Sequence, residues 1–169
     1  QEEAVNNDPL ANTETFKKYP VATTLKTTLA DLDTKSNTFA YEFRGALKDK
    51  LSEAGVNFAG HYSIVNVGMT GLPVAYFIVD RSNGKAYIFP YAATFLDFKQ
   101  DSNLILVNSK ADILAWINES GPGACMSTGA ADMYYTDARP FYFLWENNKL
   151  KQLGSGSSTP PTNSFWANQ

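Results

Sequence analysis

The chain is poor in the side chains that carry most nucleophilic and metal chemistry. Its 169 residues include one cysteine, Cys125, and one histidine, His61. A single thiol excludes an intramolecular disulfide. One His with one Cys leaves zinc short of its usual ligands. A basic excess is missing too: 14 Lys and Arg face 17 Asp and Glu, a net charge of -3. That is the wrong sign for a protein that reads nucleic-acid phosphates, so no nucleic-acid partner is expected. No apolar run approaches the roughly 18 residues of a spanning helix, so the chain is not expected to cross a membrane. G-x-x-x-x-G-K-[ST], G-x-G-x-x-G and G-x-S-x-G are all absent, which removes the phosphate loop, the dinucleotide fingerprint and the serine-hydrolase elbow. The paired acids Asp31/Asp33 and Asp97/Asp101 fit no twelve-residue calcium loop. No metal and no cofactor is expected.

Apolar and aromatic residues are plentiful. Hydrophobic residues make up 44% of the chain and aromatics 14%, a globular composition at a length that suits about one domain with a real core. The opening QEEAVNNDPLANTE, without Met, reads as a mature end left by signal-peptide cleavage or as a trimmed chain. With the Asn, Thr, Ser and Tyr content on an acidic background, this makes export, periplasmic or secreted, the expectation.

Three regions follow from patterning. Residues 1–38 are polar, carry Pro9 and Pro20 and show no sustained period, so they read as an N-terminal arm, with a turn of helix near 13–18. Residues 39–153 form the domain. Phe39, Phe43, Leu47 and Leu51 recur every four residues and predict one helix from 39 to 54, ended by Gly55. The period then changes to that of strands. Segments 61–68, 74–80 and 85–91 read as strands, the last two around Arg81-Ser82-Asn83-Gly84, a hairpin signal. Segments 95–98 and 104–108 flank a second turn, and 141–145 and 149–153 a third around Glu146-Asn147-Asn148. Ser109 to Glu119 reads as a short helix ended by Gly121-Pro122-Gly123. Residues 154–169 are a Gly/Ser/Pro-rich tail that carries Phe165-Trp166. The fold class expected is α+β, a mainly antiparallel β-meander with one principal helix packed on it.

Tyr41-Glu42-Phe43-Arg44, followed by Val56-Asn57-Phe58-Ala59-Gly60-His61-Tyr62, resembles a family of uncharacterised exported bacterial proteins. In these an "EFR" helix leads into "NFAGHY" and a strand, and hairpins follow. The matching hairpin residues are Ile78-Val79-Asp80, Gly84-Lys85-Ala86-Tyr87, Leu96-Asp97-Phe98, Asp101-Ser102-Asn103-Leu104 and Phe143-Leu144-Trp145. The resemblance covers roughly residues 39–153 and implies export and an α+β fold, with no activity attached. Where such relatives tend to carry a cysteine pair, this chain reads Val67-Gly68-Met69-Thr70-Gly71-Leu72-Pro73, so no disulfide or thiol role carries over.

Any imidazole chemistry must pass through His61, set between Gly60 and Tyr62. It reads either as a general base or ligand-orienting donor, or as a packing residue that ties down the 57–62 loop. Cys125, in a small-residue loop, completes a Cys/His pair if the two meet. The alternative is that it packs as a small hydrophobe. Tyr134-Tyr135 and Phe141-Tyr142-Phe143 place rings on both faces of their strands. One face then carries aromatics away from the core unless the arm or the tail covers it. The expected function is a non-catalytic binding domain that recognises a protein or glycan through Asn57, His61, Tyr62, Tyr134 and Tyr135. The alternative is a small hydrolase using His61 with Cys125 or a nearby carboxylate.

Overall fold

The structure, a computed structural model, describes residues 14–23, 28–68, 74–93, 95–107, 141–154, 162–163 and 166. In chain order the elements are α1 (Glu14–Lys17), α2 (Thr38–Glu42), α3 (Arg44–Ala54), β1 (Tyr62–Val67), β2 (Ala75–Asp80), β3 (Ala86–Ile88), β4 (Leu96–Asp97), β5 (Leu104–Val107), β6 (Phe141–Glu146) and β7 (Lys149–Leu153). The fold is α+β, and among the described residues all strand pairing is antiparallel. The strands divide into two sheets, β1-β2-β3 and β4-β5-β6-β7. The helix expected at 109–119 lies outside the described residues.

The helical stretch is two pieces that meet at Phe43, whose φ of -98° and ψ of 16° leave the helical region. Asn37 caps α2, its Oδ1 accepting from Ala40 N at 2.8 Å. The four-residue stripe survives the break, with Leu47 and Leu51 buried and Phe39 and Phe43 packed beside them. Gly55, at φ 59°, ends α3.

Alternation along the strands builds a layered molecule. Val65, Val67, Phe77 and Val79 face Leu47 and Leu51. On the opposite face of the same sheet, Ile64 and Ile78 meet Ile105, Val107, Phe143 and Trp145 of the second sheet. Leu104, Leu106 and Leu144 point away from that interface and are covered by Phe16, with Tyr19 and Tyr142 alongside. The order is therefore helices, sheet, sheet, N-terminal segment. Aromatics on both faces of β6 are accounted for, because the 14–23 segment lies over the outer one. It is held there by Val21 N donating to Asp101 O and Asn103 N to Tyr19 O. Residues 28–37 are tied to the β2–β3 turn through Ala30 N to Arg81 O and Asp33 N to Gly84 O, both 2.8 Å.

The tail also reaches the body. Trp166 packs edge-on against Phe39 and Phe77, and its indole N–H donates to Phe89 O at 3.0 Å. Asn163 is buried, its Nδ2 donating to Val74 O.

Candidate functional site

His61 follows Gly60, whose φ of 84° brings the backbone so close to Ala22 that an added Cβ would collide with its carbonyl. That approach sets the tight turn into β1. The imidazole is about one-third exposed and lies over the Tyr62 ring, with centroids 4.2 Å apart. Its Nε2 stands 3.7 Å from Asp80 Oδ1, beyond hydrogen-bond reach. That carboxylate is already engaged: Oδ1 accepts from Ser82 N and Ser82 Oγ, and Oδ2 from Asn83 Nδ2. Ser82 therefore donates to the acid and not to the imidazole, which is not the order of a nucleophilic triad.

The other expected residues fare differently. Asn57 spends both amide atoms on one partner, its Nδ2 donating to Ile64 O and its Oδ1 accepting from Ile64 N. It extends the β1 ladder by side chain. Cys125, Tyr134 and Tyr135 lie outside the described residues. Tyr62 is buried, packs edge-on against Trp145 and donates its hydroxyl to Asn148 Oδ1 at 2.7 Å. Among the described residues, no three His, Cys, Asp or Glu side chains group closely enough to hold a metal ion. None of the helices described is long and apolar enough to cross a membrane.

The Tyr62–Asn148 bond leads to a feature that local patterning did not reveal. An open groove of about 860 Å³ runs between the start of α2, strand β3 with the residues that follow it, and the β6–β7 hairpin. Its apolar wall is Phe39, Tyr87, Ile88, Tyr91, Trp145 and Leu150, and its polar rim Ser36, Asn37, Asn148, Lys85 and Lys149. The rings are braced from behind. Trp145 contacts Tyr87 at 5.5 Å and Tyr62 at 5.8 Å, and Tyr91 stacks on Phe143 at 4.9 Å. Fixed rings lose little freedom when a ligand lies against them.

Tyr62 and Tyr87 hold their phenolic protons more tightly than a free tyrosine does. Burial pushes Tyr62 above its usual value, the Trp145 indole works against that rise, and Asp80 and Tyr87 add to it. The indole N–H has no full hydrogen bond of its own among the described residues. Tyr87 is raised first by burial and then by Asp80. Asn148 sits in the two-residue β6–β7 turn with φ of 60°, beside Asn147 at 51°. This is the backbone that Asn and Gly tolerate best. The turn signal was legible in the Asn-Asn pair, whereas the groove it shares with Tyr87 was not.

No protein-family model, no curated protein and no solved structure matches this chain.

Proposed function

We propose that the protein is an exported, non-catalytic binding domain whose ligand seats in the groove between α2, β3 and the β6–β7 turn. The observation that carries this reading is the groove's make-up: braced aromatic rings on one wall, with amide and ammonium groups on the rim. A ligand site of this kind pairs apolar area with a few directed polar groups. Export is supported by the polar, acidic composition and by the EFR…NFAGHY resemblance. Tyr62 acts through Asn148, as the hydroxyl that orients its amide.

The test is a titration of the ¹⁵N-labelled protein with a panel of oligosaccharides and short peptides, followed by amide and side-chain resonances. Support is a ligand whose shifts gather on Tyr87, Tyr91, Asn148 and Lys149. Shifts that gather on His61 and Asp80 instead, or turnover of the ligand, overturn it. The hydrolase reading has one observation in its favour, the approach of His61 to Asp80. It requires any hydrolysis found to vanish in His61→Ala and to survive in Tyr87→Ala.

A further inference from the structure

We infer that the groove takes an anionic glycan, an oligosaccharide bearing carboxylates of the uronic-acid kind; this rests on the groove being a ligand site at all. Charge is the first argument. The chain as a whole carries three more acidic than basic residues, 17 against 14, yet among the described residues the groove is lined by Lys85 and Lys149 and by no Asp or Glu. Among the described residues neither ammonium is held in an ion pair, although Glu146 stands opposite Lys149 in the hairpin register. Two cations left free on a wall whose described residues carry no acid favour an anion.

The rest of the wall narrows the class. Tyr87 and Tyr91 present half-buried rings, flat apolar surfaces of the size of a pyranose face. Asn148 gives its Oδ1 to the Tyr62 hydroxyl, which leaves both N–H groups of its Nδ2 to donate to ring or hydroxyl oxygens. An acidic peptide meets the same charges, but the usual way to seat an extended peptide is to add it to a strand edge. The free edge of β3 is already spent at its first residue. Ala86 N donates to Ser36 Oγ at 3.1 Å, and Ala86 O accepts from Asn37 Nδ2 at 2.6 Å. At that end of the wall recognition is left to side chains, with rings for the sugar face, an amide for hydroxyls and ammonium groups for carboxylates.

The experiment titrates the full chain with trigalacturonate, its methyl-esterified counterpart and hexaglutamate, reading Kd from tryptophan fluorescence and location from ¹⁵N shifts. Trigalacturonate is expected to bind in the groove about tenfold more tightly than the ester, at the scale of two exposed ion pairs. In Lys85→Gln/Lys149→Gln, with thermal stability unchanged, that difference should disappear. Equal binding of acid and ester, with shifts still in the groove, overturns the anionic class and leaves the binding groove standing. Hexaglutamate binding there as tightly, with the same lysine dependence, overturns the glycan. Absence of groove shifts with either sugar overturns the proposal, and shifts confined to another surface overturn the groove reading with it.

Discussion

Replacing Asn148 by glycine deletes an amide while keeping the backbone it stands on, so it separates what the residue does for the hairpin from what it does in the groove. The turn needs positive φ at both residues, which glycine adopts freely, so the backbone gains back at most about 1 kcal/mol. Against that, the buried Tyr62 hydroxyl loses its acceptor, a cost of about 1–2 kcal/mol. Asn148→Gly should therefore fall within about 1 kcal/mol of the parent. Asn148→Ala loses the bond and adds the strain that Asn tolerates better than Ala at positive φ, for about 2–3 kcal/mol. In a Tyr62→Phe background the bond is already gone, and Asn148→Ala should cost about 1 kcal/mol less than it does alone. The cycle cancels whatever Tyr62→Phe does to the nearby Trp145 indole. Urea unfolding of the four proteins measures the coupling. A value below about 0.3 kcal/mol refutes the bond, and Asn148→Ala no worse than Asn148→Gly refutes the turn argument. Affinity for a groove ligand should still drop about three- to tenfold in Asn148→Gly, the worth of one hydrogen bond.

Gly84, at φ 81°, would place a Cβ 1.9 Å from Asp31 O, whereas Gly154, at φ 103°, faces open space. Gly84→Ala should cost about 3 kcal/mol or more in urea unfolding and Gly154→Ala about 1 kcal/mol; equal costs would mean the 28–37 segment is not held against the turn. The buried Arg81 guanidinium donates to Leu51 O, in the last turn of α3, and to Ser63 Oγ, both at 3.1 Å. Arg81→Met should lose about 2–4 kcal/mol, and a loss under about 0.5 would show that desolvating the charge cancels its bonds. For alkaline pH, Tyr62 and Tyr87 are both raised in the fold above the ordinary 10.0. The folded state then keeps protons that the unfolded state gives up, so their contribution is full below pH 10 and lost as pH rises through the folded values. Unfolding followed from pH 9 to 11 should show that decline, and Tyr62→Phe should flatten it; an unchanged slope contradicts the assignment.

Much of the fold was legible because it is local. The Asn83-Gly84 and Asn147-Asn148 turns predicted their hairpins from two residues each, and the unbroken Leu104-Ile105-Leu106-Val107 run marks a strand covered on both faces. The break at Phe43 was hidden because the Phe39-Phe43-Leu47-Leu51 stripe continues across it. The division into two facing sheets was not legible, since an unbroken apolar run says that a strand has two buried faces without saying what lies against each. The groove failed to show for the same reason. The bond that orients its amide joins residues 86 apart in the chain, and the one that occupies the start of the β3 edge joins residues 49 apart. His61 drew attention because imidazole is scarce here, and scarcity is a property of composition that says nothing about where a cleft will open. Tyr62, its neighbour, reaches the groove only through a partner on the other sheet. A site built where the edges of two sheets approach each other is assembled from turn and edge residues, each with an ordinary local explanation: Asn148 for positive φ, Lys149 for an exposed strand, Asn37 for a helix cap. Their shared role becomes visible only once the layers have stacked and the rings of Tyr87 and Trp145 stand side by side.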